Sequence, residues 1–157
     1  MQDIEVRIVD LAPMRVVSAY GFCESPEPVA WQRIKDWIAR NGLADEIARH
    51  RFYGFNDPDP TPASPNYGYE QWMTLVDGWE PIDPEGGTVK SIPGGRYAVF
   101  RCRLVEIGES WQRLHAWVEA QGLRMGPHQW LEQVVSSIDD PPEDLLLDIH
   151  YPLAEEG

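Results

Sequence analysis

Apolar and polar residues alternate through Ile4-Glu5-Val6-Arg7-Ile8-Val9, which predicts a strand with Ile4, Val6 and Ile8 on one face. Ala12-Pro13 turns the chain, and residues 14–22 continue as a β-rich segment. The period then changes. Trp31, Ile34 and Ile38 fall at helical spacing, with Ser25-Pro26-Glu27 as a start signal and Gly42 as a stop. Residues 51–55 and 67–76 read as two further strands, and the four prolines within residues 56–66 predict a loop between them that is too long for a tight hairpin.

The same plan follows once more. Residues 88–92 read as a strand, Pro93-Gly94-Gly95 as a turn, and residues 97–104 as a strand with Ala98, Phe100, Cys102 and Leu104 on one face. A second helix starts near Glu109-Ser110, carries Trp111, Leu114 and Val118, and closes at Gly122. Residues 130–136 and 145–153 supply the last strands, joined by the acidic, proline-containing Ile138-Asp139-Asp140-Pro141-Pro142. Each copy reads as a hairpin, a helix and a second hairpin. That pattern predicts an α+β fold with two main helices packed on one side of a curved antiparallel sheet.

The repetition extends to residue identity. Residues 31–43 and 111–123, 80 positions apart, share six of thirteen residues, including both tryptophans and the closing Gly-Leu. A duplication of this kind predicts two modules, of about residues 1–77 and 87–153, within a single domain spanning 1–157. The two modules are expected to be related by an approximate two-fold axis, with a ligand cleft at their seam.

At 157 residues the chain is long enough to bury roughly two thirds of its unfolded surface without a staple. Cys23 and Cys102 are expected at equivalent strand positions, as small buried hydrophobes without a disulfide. The sequence has no secretory signal pattern and no apolar run near the ~20 residues that cross a bilayer, so a cytoplasmic location with no membrane partner is expected. The net charge of −13 and the thirteen scattered Lys and Arg exclude a nucleic-acid partner and favour cations. Seven Trp, six Tyr and four Phe exceed the needs of one core, and such rings line sites for flat apolar molecules.

Motifs for hydrolytic triads, phosphate loops and helix-borne zinc are absent from the sequence. Glu46 and His50 lie four residues apart but lack a third ligand, so neither a metal nor a cofactor is expected. His115, His128 and His150 fall in separate elements, with His150 beside Asp148 on a face expected to be solvated. In Tyr67-Gly68-Tyr69-Glu70-Gln71-Trp72 the period of two puts Glu70 and Trp72 on one face and Tyr67 and Tyr69 on the other. Trp130, Glu132 and Val134 share a face in the same way. A carboxylate among aromatic rings stays charged at low cost only when it meets a cation or a donor, so each strand is suited to a lipophilic cation; a wet face for either glutamate is the alternative.

The layout resembles the GyrI-like effector-binding domains, which occur at the C-terminus of AraC-type and MerR-type transcription activators and as stand-alone proteins. Residues 89–100, the 111–123 helix, Trp130-Leu131-Glu132 and Leu147-Asp148-Ile149-His150-Tyr151-Pro152-Leu153 carry the resemblance, with Phe55-Asn56-Asp57-Pro58 and residues 67–72 in the first half. It implies two strand-helix-strand-strand modules around a cleft for flat, hydrophobic and often cationic compounds, gripped by aromatic rings around a buried glutamate. Glu132 matches that glutamate, and Tyr20, Tyr69, Trp72, Tyr97, Trp111 and Trp130 are the candidate walls, with Glu70 as a further ligand-binding candidate. Val134 stands where the family pattern has a tyrosine, which alters one wall. The resemblance starts near residue 1, so no helix-turn-helix and no direct DNA contact are expected. Three functions follow from the resemblance. The chain sequesters or senses small molecules; or it hydrolyses strained electrophiles with Glu132 and the hydroxyl of Tyr69 or Tyr97; or its acidic surface meets a protein partner as a gyrase inhibitor does. A homodimer stays open.

Overall fold

The computed structural model describes residues 4–155. The fold is α+β, with eight strands and two main helices among the described residues. In chain order these are β1 (Val6–Leu11), β2 (Met14–Cys23), α1 (Pro26–Arg40), β3 (Phe52–Asn56), β4 (Tyr67–Leu75), β5 (Thr88–Ile92), β6 (Gly95–Arg103), α2 (Ile107–Ala120), β7 (Leu131–Val134) and β8 (Leu146–Pro152). No helix among them is long and apolar enough to cross a membrane.

Both helices stop by the same device. The amide of Leu43 donates to the carbonyl of Ile38 and that of Gly42 to Ala39, and the bonds Leu123 to Val118 and Gly122 to Glu119 repeat the pattern. Gly42 and Gly122 take φ of 71° and 70°, the left-handed conformation that this double closure requires. The starts differ from each other. Pro26 opens α1 and Ser25 makes no side-chain cap. Helix α2 begins at Ile107, earlier than the Glu109-Ser110 signal, because the Ser110 hydroxyl donates back to the Glu106 carbonyl at 2.8 Å and so sits inside the helix.

The described residues divide into two compact units, one of residues 14–92 and one of residues 4–13 with 93–155. In the first unit β2 pairs with β4 and β5, and β3 with β4, all antiparallel. Helix α1 packs against β2 and β4. The second unit repeats this with β6 between β1 and β8, β7 beside β8, and α2 against β6 and β8. The hairpins expected between β1 and β2 and between β5 and β6 do not form. A two-residue hairpin needs positive φ at its first central residue, and Ala12 and Pro93 cannot supply it, since every positive φ among the described residues is glycine. Strand β1 therefore pairs with β6, and β5 with β2.

The core of the second unit joins Ala98, Cys102, Leu147, Ile149 and Tyr151 of the sheet to Leu114 and Val118 of α2. Cys23 is half-buried, Cys102 is buried, and both are free thiols. The face expected to be solvated is dry: Asp148 is 4% and His150 2% exposed. Asp148 is held by Arg7 at 2.6 Å and Arg101 at 2.8 Å, while the His150 ring meets Tyr97 edge-on at 5.3 Å. Burial alone would raise the Asp148 carboxyl, but the two guanidiniums outweigh it and hold the group below the usual carboxylate range.

Candidate functional site

Strand register places one carboxylate at the centre of a polar face. Ser18 lies opposite Trp72, Tyr20 opposite Glu70, and Thr88 opposite Ser18. Directly paired residues project to the same side, so Ser18, Tyr20, Glu70, Trp72, Thr88 and Lys90 share one face of the residues 14–92 unit. Helix α1 covers the other face, where the Tyr67 hydroxyl donates to Glu27 at 2.6 Å and the Trp31 ring lies 5.7 Å from Phe52.

Glu70 is 6% exposed. Its Oε1 accepts the Ser18 hydroxyl at 2.6 Å, the Trp72 indole N–H at 2.8 Å and the Lys90 ammonium. Trp72 is fixed in turn by Phe55, edge to face at 4.9 Å. Burial pushes the Glu70 carboxyl up, and the Lys90, Ser18 and Trp72 donors more than reverse that, so it lies below its ordinary value. The Asp57 carboxyl moves the other way, raised by burial and by the charge of Glu70, with which it also shares a hydrogen bond. The Tyr20 hydroxyl donates to the Asp57 carbonyl at 2.6 Å, and Arg33 of α1 donates to the Tyr20 carbonyl. Strand β5 pairs only as far as Ser18, which leaves that carbonyl at the sheet edge. A cavity of about 350 Å³ opens here, lined by Ser18, Tyr20, Arg33, Glu70, Gly86, Thr88 and Lys90.

Tyr69 points away from this cavity. A Cβ on Gly54 would lie 2.0 Å from its hydroxyl, so Tyr69 spans the α1 side of the sheet and does not meet Glu70. In the other unit Glu132 is half-buried and lies opposite Ile149, on the side of the sheet that α2 covers. The Trp111 indole donates to it at a long 3.3 Å. Trp111 meets Trp130 at 5.4 Å and Trp130 meets Tyr151 at 4.4 Å, so these rings pack on one another beside the helix. Tyr97 is buried on the opposite side of that sheet, its hydroxyl donating to the Gln129 carbonyl at 2.6 Å and its ring edge-on to His128 and His150.

The family model of the GyrI-like small-molecule binding domain matches residues 4–154. This chain belongs to that family. No curated protein matches it. Among solved structures, this GyrI-like domain is similar to the EcmrR C-terminal domain, at a TM-score of 0.71 and 11% identity over 98% of this chain and 99% of that one. A hydrolase from Listeria innocua follows at 0.70 and 10% identity, over 98% and 94%. SAV2435 bound to tetraphenylphosphonium gives 0.54 and 15%, over 96% and 94%. At these identities the likeness is one of fold.

Of the candidates read from the sequence, the GyrI-like domain brings Glu70, Trp72 and Tyr20 together in one unit, and Glu132, Trp111 and Trp130 in the other. Ser18, Asp57 and Lys90 as partners of Glu70, and Arg33 as a donor to the Tyr20 carbonyl, were not legible in the sequence. Ser18 had a signal, since it stands two residues before Tyr20 and so shares its face. Lys90 had none, because it reaches Glu70 only through the pairing of β5 with β2, where the turn pattern predicts pairing with β6.

Proposed function

We propose that this GyrI-like domain binds small molecules that carry a positive charge on a ring system, with Glu70 as the anchoring carboxylate. One observation carries the reading: a carboxylate 6% exposed, kept ionised by its donors, faces a cavity of about 350 Å³. A buried charge in that position attracts an opposite charge far more strongly than it would in water. Trp72, packed edge-on against Phe55, donates to it, and Tyr20, 39% exposed, adds an aromatic ring to the cavity lining. The similarly folded SAV2435 is bound to tetraphenylphosphonium, a cation that carries its charge among rings. Glu132 is a weaker anchor, since its neighbouring rings are spent on each other and on the α2 seam.

Calorimetric titration with 1-naphthylmethylammonium and with the neutral 1-naphthalenemethanol tests this. Glu70→Gln is expected to weaken the ammonium at least tenfold and to leave the alcohol within twofold, while Glu132→Gln leaves both within threefold. An ammonium affinity unchanged by Glu70→Gln would refute the assignment.

Hydrolysis of strained electrophiles is the second reading, favoured by the Asp57 and Glu70 pair. Their carboxyls are displaced in opposite directions, as an acid and a base need to be. Product formed beyond one equivalent from a cyclopropane-bearing electrophile, and lost in Asp57→Asn, selects it over binding alone.

A further inference from the structure

Three donors meet on one oxygen of Glu70, and they differ in how they are held. The Ser18 hydroxyl and the Trp72 indole belong to side chains 6% and 3% exposed, fixed in the sheet. The Lys90 side chain is 40% exposed against 7% for Glu70, and its ammonium lies at the end of a flexible four-carbon stem. Of the three, only the lysine can leave without rebuilding the unit. Water on one side of the pair weakens it, so departure is cheap compared with breaking a fully buried bridge.

Withdrawal of the ammonium leaves Glu70 with the two neutral donors and the hydrogen bond it shares with Asp57, but without a cation, and frees the acceptor position the lysine held in a cavity that Glu70 lines. A buried carboxylate that loses a donor is left under-satisfied, and the deficit is one of both charge and hydrogen bonding. A ligand that takes this position has to restore both. A protonated amine carries a positive charge and N–H groups that reach the oxygen at charge-assisted hydrogen-bond distance. A quaternary ammonium or phosphonium restores only the charge, from farther away, because its alkyl or aryl shell keeps the centre off the oxygen.

Resting on the reading of Glu70 as the anchor, we propose that the ligands of this site are protonated primary or secondary amines borne on a ring, and that Lys90 is a tethered competitor occupying the amine's position in the free protein. The lysine thus sets specificity. A ring-bearing cation without N–H groups neither displaces it well nor replaces what it gives.

The test compares 1-naphthylmethylammonium with its N,N,N-trimethyl derivative by calorimetry on the wild type, Lys90→Met, Lys90→Gln and Glu70→Gln. Two neutral replacements are used so that poor folding of one does not decide the outcome. Removing the competitor is expected to tighten the primary amine at least tenfold in both Lys90 variants and the trimethyl compound less than threefold. Primary-amine affinity within twofold of wild type in both variants overturns the proposal, and so does an equal gain for the two compounds. These failures leave Glu70 as the anchor, provided Glu70→Gln still weakens the primary amine at least tenfold. Absence of binding by either compound in every variant would instead overturn the anchor itself.

Discussion

Replacing Gly68 by alanine is expected to destabilise the chain by about 3 kcal/mol, at the upper end of what overpacking costs, and to lower the melting temperature by roughly 10 °C. An added Cβ would lie 1.7 Å from the Asp57 carbonyl oxygen and 2.2 Å from the Tyr20 hydroxyl. The backbone cannot yield cheaply. Gly68 donates to the Pro58 carbonyl at 3.1 Å and accepts from the Asp57 amide at 2.8 Å, so the strand and the loop are stitched together at the position the methyl group would fill. Because Tyr20 donates to the same Asp57 carbonyl, lifting the loop also releases a residue that lines the cavity. Gly108→Ala is the control, since a Cβ there meets nothing within 4 Å and the residue lies in a helix, where alanine is the better former. Thermal melts of the two variants check this. A Gly68→Ala protein melting within 2 °C of wild type contradicts it.

The second large effect separates two tryptophans that the repeat makes equivalent. Trp37 is fully buried and meets the Trp79 ring edge-on at 5.7 Å, whereas Trp117 is half-buried at the margin of its core. Trp37→Ala is expected to cost about 4 kcal/mol, since truncation leaves a cavity that a rigid sheet and helix cannot collapse. Trp117→Ala should cost less than half as much. Urea unfolding of both variants reads the difference, and equal losses would contradict the difference in burial between the two sites.

This pair also shows where sequence stops informing. The Trp-Gln-Arg motif and the closing Gly-Leu locate both helices and the form of their ends, because helix stop chemistry is local. The alternation that puts Glu70 and Trp72 on one face holds to the level of a hydrogen bond between their side chains, because strand period is local too. Burial is a different matter. Trp37 and Trp117 read alike, and the face bearing Asp148 and His150 reads as solvated, but each environment is set by neighbours distant in sequence, Arg7 and Tyr97 among them. The exchange of β1 and β5 lies beyond the reach of periodicity for the same reason. It is that exchange which supplies Lys90, 20 residues from Glu70 in the chain and its ion-pair partner in the fold.

A crystal structure of the chain with 1-naphthylmethylammonium tests whether Glu70 is the amine's seat. The amine nitrogen is expected about 2.8 Å from Glu70 Oε1, between the Ser18 and Trp72 donors, with the Lys90 side chain turned out to water. An amine seated beside Glu132 among Trp111 and Trp130, with the Lys90 and Glu70 pair intact, would contradict it.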